Sequence, residues 1–414
     1  MWPVEPEGAG PEPAGRGTVS EAPTTPLRVL RFPPDRSLGT LYQRGQDGLG
    51  LEESWGRLGE ARGRVTVPAE AYIHLRVGKD VARGDLQALA ALGPDGVQSL
   101  SLAGARATDA ELEHLRPLIG LRRLNLSDTR VTDGGMARLD TLAALRALSL
   151  SGTRVTDAGM DGLHPLVALE DLALSYTQIT DRGLAPLGAL SRLGDLTLAH
   201  SRITGEGLVR LRRLTGLRRL SLAGIAISYM GFIRLSALGT LESLDLSGAP
   251  VTDAGLDHLR ALTVLKRLDL RDTPLADSGL ARLSCLAGLR SLDLGGTGTG
   301  DAGLAYLRSL VALRELSLRG ARIGDAGLAH LGALGTLQAL DLSHTRIGDA
   351  GLTALRPLVA LRRLDLDATG ITDAGLAHLQ ALAGLQELRL ARTAVTEAGV
   401  AGLRRALPRC LVRT

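Results

Sequence analysis

Leu121–Ala144 reads LRRLNLSDTRVTDGGMARLDTLAA, and Leu241–Val264 (LESLDLSGAPVTDAGLDHLRALTV) and Leu337–Ala360 (LQALDLSHTRIGDAGLTALRPLVA) align with it without a gap. Thirteen such 24-residue units follow one another from Val97 to Pro408. A fixed period of this length means a solenoid, in which each unit buries its apolar face only against its neighbours. Leu124 and Leu126 stand two apart and so point to one face of a short strand. Val131 enters the core from the turn, and Met136, Leu139 and Leu142, three apart, form one stripe of a helix. The expected unit is therefore strand, turn, helix and return. Stacked copies give an α/β fold with a parallel sheet inside and helices outside. Helices are wider than strands, so the sheet should be curved.

Outside the array the pattern changes. Residues 1–26 are rich in Pro, Gly, Glu and Ala without periodicity and read as a disordered tail. Residues 27–77 alternate short apolar stretches (LRVLRF, GTLYQR, RVTVPA, YIHLRV) with turn formers, which predicts a small β cap. A degenerate repeat follows over 71–96, with Leu75 and Val77 in strand slots and Leu86, Leu89 and Leu92 in helix slots. At the other end, residues 409–414 place Cys410 and Val412 in strand-like alternation, a last capping strand. Solenoid ends need such covers, because an open end exposes apolar surface.

One slot of the unit carries Asp133, Asp157, Asp181, Asp253, Asp277, Asp301, Asp325, Asp349 and Asp373. The Thr that often precedes it gives way to Ala276, Gly300, Gly324 or Gly348 while the Asp stays. That dependability suggests the aspartate is the helix N-cap rather than a catalytic group. Gly135, Gly159, Gly255 and Gly375 recur in the first helical turn, where Gly costs about 1 kcal/mol against Ala, so close packing is expected there.

The string LxxLxLxxTxVTDAGLxxLxxLxx resembles the bacterial leucine-rich repeats, and its helical half is similar to the cysteine-containing and ribonuclease-inhibitor-like classes. The resemblance spans residues 97–408 and implies a right-handed leucine-rich-repeat solenoid that recognises protein on its concave face. Fold alone carries no partner. Many relatives place Asn or Cys after the strand, where the side chain bonds along the stack. Here the slot holds Thr129, Thr153, Thr177, Ser201, Thr273, Thr297, Thr345, Thr369 and Thr393, whose hydroxyls could do a similar job. Ala249, Ala321 and Ile225 interrupt it. Val29–Val77 also looks like N-terminal elements that precede such arrays in bacteria.

Net charge is +4, nearly balanced, which argues against a polyanion partner. Cys285 and Cys410 make no disulfide framework, the N-terminus lacks a secretory pattern, and no run of about 18 apolar residues exists. A cytoplasmic monomer without cofactor is expected. His114, His258, His330 and His378 share one slot in different repeats, so they cannot converge on one metal. Nucleotide, hydrolase and metalloprotease motifs are missing, so catalysis is not expected. An enzyme would need an unrecognised site in the β cap, among Asp35, Glu52, Glu53 and His74.

The informative slot lies between the strand leucines, facing out of the sheet. It reads Asn125, Ser149, Ala173, Thr197 and Ser221, then Asp245, Asp269, Asp293, Ser317, Asp341 and Asp365. Three consecutive aspartates in parallel neighbours repel one another. Lys266, Arg267, Arg290, Arg314, Arg362 and Arg363 flank these strands and could offset the repulsion. The row is then either an internally neutralised ladder or a mixed-charge strip that docks a protein. Tyr176 beside His200, with Glu170, Asp171 and Asp195 nearby, is a second candidate anchor, since exposed aromatics are over-represented at interfaces. The sixth repeat is irregular, with Ile225, Tyr229, Met230 and Phe232 in place of the usual residues, and could mark a lateral contact or a bend. Arg210, Arg212, Arg213, Arg218 and Arg219 form the densest basic run. Periodicity splits them between helix and strand, which counts against nucleic acid or a phosphorylated ligand.

Overall fold

The computed structural model describes residues 26–44 and 55–414. The expected tail, save Pro26, and the β-cap residues Glu52 and Glu53 lie outside the described residues. The chain divides into two units, Met1–Leu169 and Glu170–Thr414.

In the first unit, β1 (Leu27–Arg31) pairs antiparallel with β4 (Arg64–Pro68). β2 (Gly39–Arg44) lies between β3 (Gly56–Glu60) and β5 (Tyr72–Val77), antiparallel to both. β5 changes role, because its other edge pairs in parallel with β6 (Ser99–Ser101), followed by β7 (Arg123–Asn125) and β8 (Ala147–Ser149). A hairpin-type sheet is thus spliced directly to the parallel ladder. The segment after β5 forms the 3-10 helix Arg83–Leu92, which buries Leu86, Leu89 and Leu92.

The second unit is a parallel ladder of three-residue strands. They are β9 (Asp171–Ala173), β10 (Asp195–Thr197), β11 (Arg219–Ser221), β12 (Ser243–Asp245) and β13 (Arg267–Asp269). β14 (Ser291–Asp293), β15 (Glu315–Ser317), β16 (Ala339–Asp341), β17 (Arg363–Asp365), β18 (Glu387–Arg389) and β19 (Leu411–Arg413) complete it. Register follows the repeat, Leu244 opposite Leu268 and Leu268 opposite Leu292. The central leucine of each strand from β9 to β18 is buried, and at β19 Val412 takes that place, with Cys410 also buried.

The pieces opposite the sheet are shorter and tighter than the expected helices. Some are α-helical for four to seven residues, as in Asp301–Leu304 and Asp277–Leu283. Others, such as Gly207–Arg213 and Gly351–Leu355, are wholly 3-10. The spacing explains this. Leu256, Leu259, Leu262 and Leu265 recur every third residue and are all buried. A strict period of three matches the 3.0 residues per turn of a 3-10 helix better than 3.6.

The recurring aspartate corrects the sequence reading. The N-cap is the residue before it: the Thr132 hydroxyl accepts from Gly134 N–H, Thr156 from Ala158 and Thr372 from Ala374. The aspartate sits one place further on and reaches into the next repeat. Asp133 Oδ1 accepts the Thr156 N–H at 2.7 Å and Oδ2 its hydroxyl at 2.7 Å. Asp349 grips Thr372 in the same way at 2.8 and 2.6 Å. Where Thr is replaced by Gly, the backbone bond survives, Asp301 accepting from Gly324 N–H at 2.7 Å. This explains why the aspartate outlasts the threonine: its partner is a backbone donor one repeat away, which any residue supplies.

The first-turn glycine has the same cause. A Cβ on Gly303 would lie 2.4 Å from Asp277 Oδ1, and one on Gly375 2.3 Å from Asp349 Oδ1. The post-strand hydroxyls need a second correction. They turn back inside their own repeat, Thr129 Oγ1 donating to Leu126 O at 2.6 Å and Thr345 to Leu342 O at 2.6 Å, instead of bonding along the stack.

Candidate functional site

The register places Asp245 opposite Asp269, Asp269 opposite Asp293, Asp293 opposite Ser317, Ser317 opposite Asp341 and Asp341 opposite Asp365. Each aspartate closes the turn after its strand. Asp245 Oδ1 accepts from Ser247 N–H at 3.0 Å, Asp293 from Gly295 at 2.9 Å, Asp341 from Ser343 at 2.9 Å and Asp365 from Asp367 at 2.9 Å. Asp does this well, because its short side chain accepts from the backbone two residues on. Oδ1 of each carboxylate is thus used locally, which leaves Oδ2 for other partners.

That second oxygen is treated differently along the row. Arg271 donates from Nε to both oxygens of Asp269 at 3.0 Å, with Nη2 at 2.7 Å, and its Nε lies 3.4 Å from Asp293 Oδ2. These hydrogen bonds hold the Arg271 guanidinium above its ordinary pKa. Asp245 Oδ2 accepts from the Ser221 hydroxyl at 2.7 Å. The centre of the strip is therefore internally satisfied. Further along, Asp365 has Arg389 at 3.8 Å, and Asp341 meets no cation among the described residues. Burial pushes the carboxyls of Asp293 and Asp365 above the usual carboxylate range, against the opposing hydrogen bonds from Gly295 and Asp367.

Arg267 and Arg290, which the sequence suggested as neutralising partners, are exposed and make no ion pair among the described residues. Lys266 instead pairs with Glu242 at 2.7 Å, and Arg363 with Glu315 at 3.7 Å. Arg271 was missed because it sits two residues beyond the slot considered. The signal was present: that position is Ser127, Ser151, Ser175, Ala199, Ala223 and Ser247 in earlier repeats, then Arg271 and Arg319.

Two clefts open on this face. One, of about 290 Å³, has Ser291, Ser317 and Ala339 among its lining, with Asp293, Asp341 and Asp365 around them. The other, of about 450 Å³, is bordered by Arg271, Asp293, Arg319, Asp341 and His344. Both include Ser317, where the aspartate row is interrupted.

The structure also brings Tyr176 and His200 together. Their rings stack with centroids 4.6 Å apart and 20° between planes, and Tyr176 is 63% exposed. Both residues have positive φ, 57° and 53°. The next repeat has Gly224 at this position, where a Cβ would lie 2.4 Å from the His200 ring. Asp171 and Asp195 are engaged nearby by Arg219, at 3.9 and 2.6 Å. Arg210, Arg212 and Arg213 lie on the 3-10 helix Gly207–Arg213, whereas Arg218 pairs with Glu242 at 2.8 Å beside β11. The basic run is split as its periodicity implied.

In the sixth repeat Phe232 is fully buried, while Tyr229 and Met230 are exposed and Tyr229 packs edge-on against His258 at 4.9 Å. In the first unit His74 is buried beneath Trp55, and Asp35 is beside Arg36 at 3.6 Å. The described residues hold no group of three or more His, Cys, Asp or Glu placed to bind a metal ion. None of their helices is long and apolar enough to cross a membrane.

This geometry defines a leucine-rich-repeat solenoid, a parallel ladder of one short strand per repeat backed by α and 3-10 turns. The Leucine Rich repeat family profile matches residues 121–139, 169–188, 240–259, 261–284, 312–332 and 336–355. Among solved structures the chain is similar to an internalin of Listeria monocytogenes, with 24% identity and a TM-score of 0.58, over 76% of this chain and 86% of that one. It is also similar to a leucine-rich-repeat protein of Leptospira interrogans, with 19% identity and a TM-score of 0.52, over 81% and 93%. These likenesses establish the fold. Comparison with curated protein sequences gives no match. Leucine-rich-repeat folds generally serve as protein–protein interaction modules.

Proposed function

We propose that this protein is a non-catalytic binding module that takes a partner protein on the outward face of its repeat sheet, the face the repeat pattern makes concave. The supporting observation is the row from Asp245 to Asp365. Its carboxylates are 20–28% exposed where they meet Arg271 and Arg389, and two clefts indent the same strands. The aspartates close their own turns, but the half-exposed ion pairs that Arg271 and Arg389 make over them add little stability, so stability is a weak reason for placing those arginines there. Asp245, Asp269, Asp293, Asp341 and Asp365 carry the face, with Arg267 and Arg290 as exposed cations beside it. The Tyr176–His200 stack is a second anchor, a large exposed aromatic surface held by neighbouring backbones. The bacterial origin and the cysteine-containing or ribonuclease-inhibitor-like class belong to this proposal, as does monomeric, cofactor-free action in the cytoplasm. Two unpaired cysteines, Cys285 and Cys410, suit a reducing compartment.

The test is a pull-down from native lysate with wild-type protein beside an Asp269→Arg/Asp293→Arg variant. The two substitutions reverse the charge at the centre of the row, and charges mismatched to a partner across an interface cost several kcal/mol. The variant is expected to lose a protein that wild type retains, by at least about tenfold, with unchanged far-UV circular dichroism. Identical protein lists would reject the sheet face as the interface.

A further inference from the structure

The face has a shape as well as a charge. Between Asp293 and Asp341 the row drops to Ser317, and the adjoining residues Ser291 and Ala339 are equally small. They lie in the cleft of about 290 Å³, near the lower end of the range that holds a compact ligand, roughly 300–1,000 Å³. A cleft of that size suits a long side chain or two, not the body of a folded domain. Five carboxylates and two guanidiniums line it. Four of these carboxylates already meet a cation, Glu315 with Arg363 at 3.7 Å, Glu387 and Asp365 with Arg389 at 3.2 and 3.8 Å, and Asp293 with Arg271 at 3.4 Å, and both lining guanidiniums are thereby engaged. Arg319, the nearest other cation in sequence, donates to the Ser343 hydroxyl at 3.0 Å. Asp341 meets no cation among the described residues and keeps one backbone N–H on Oδ1.

We propose that this cleft docks a lysine- or arginine-bearing extended segment of the partner protein, its cationic side chain seated over Ser317 between Asp293 and Asp341. The inference rests on the sheet face being the interface and adds the chemistry of what it holds. Charge complementarity selects the cation, and small side chains beneath leave room for its aliphatic stem, which can lie along apolar surface. The raised carboxyls of Asp293 and Asp365 agree with this, since an incoming cation would offset the cost of ionising them.

Fluorescence anisotropy of a labelled Gly-Ser peptide carrying two lysines, titrated with the full chain at low and moderate salt, tests it. Saturable binding is expected, weakened at least about tenfold by Asp341→Asn and by Ser317→Arg, which seats an internal cation in the cleft. Asp245→Asn, outside the cleft, should change affinity less than about twofold. Acetylating both lysines should abolish binding. No binding to the lysine peptide, or equal weakening by Asp245→Asn and Asp341→Asn, would overturn the proposal. The pull-down separates the two levels. A partner lost by Asp269→Arg/Asp293→Arg but kept by Ser317→Arg leaves the sheet face standing and rejects the cleft. A partner kept by both rejects both.

Discussion

Gly327→Ala is expected to destabilise the second unit by about 2–4 kcal/mol, although the same change in an ordinary helix stabilises by about 1 kcal/mol. A Cβ at this position would stand 2.4 Å from Asp301 Oδ1 and 3.1 Å from its Cα. The carboxylate cannot simply step aside, because Oδ1 accepts the Gly324 N–H at 2.7 Å. Moving it leaves that donor unpaired, and moving the backbone opens the junction between two repeats. Urea unfolding followed by circular dichroism reads the effect. Combining Gly327→Ala with Asp301→Ala should cost less than the sum of the two, since removing the carboxylate also removes the clash. A stabilised Gly327→Ala protein would show that the glycine is there for some other reason.

The same logic accounts for an apparent exception. Tyr229 occupies the aspartate slot of the sixth repeat, and the following glycine, Gly255, faces the Phe232 ring instead, at 2.6 Å from its would-be Cβ. The slot lost its carboxylate but remains filled. One repeat earlier, Gly205 stands in the aspartate slot and the backbone itself approaches, with Gly205 Cα 2.6 Å from a Cβ on Gly231. Glycine at this place therefore follows whatever the preceding repeat puts against it.

The ladder was legible in the sequence because its signal is local. Leu124 and Leu126 declare a strand face within three residues, and the 24-residue period repeats the statement. The aspartate was misassigned because its role is not local: the Asp133–Thr156 bond joins residues 23 apart and exists only once repeats are stacked. A single unit shows an Asp at a helix start, and capping is the nearest explanation. The candidate site divides the same way. The carboxylate row could be read from the alternation, but the choice of counter-ion could not. Arg267 and Arg271 are equally near Asp269 in sequence, and only the turn geometry brings Arg271 back over the row while Arg267 makes no ion pair among the described residues.

The N-terminal unit should lose stability as pH falls from about 6.5 toward 4, and His74 should account for about 3 kcal/mol of that loss. His74 is 5% exposed, its Nδ1 2.8 Å from the Ser99 hydroxyl and its ring 5.4 Å from Trp55 and 5.8 Å from Tyr42. Burial, with the nearby charges of Arg76 and Arg123, lowers its pKa from 6.5 to about 4, against a smaller opposing contribution from Ser99. In the unfolded chain the imidazole takes up a proton near 6.5, whereas the folded protein refuses it until about 4. Between those values the unfolded state binds more protons, so stability is full above 6.5 and drains away as pH falls. Trp55 lies against the imidazole and reports the region directly. In a Trp2→Phe background, the urea midpoint followed by its fluorescence should fall across this window. His74→Gln, which can keep a bond to Ser99 without titrating, should flatten that fall. Parallel pH slopes in the two proteins would mean that other groups govern the acid sensitivity. A flattened slope would identify His74 as a buried neutral histidine at the junction of β5 and β6, where the antiparallel cap becomes the first parallel step of the ladder.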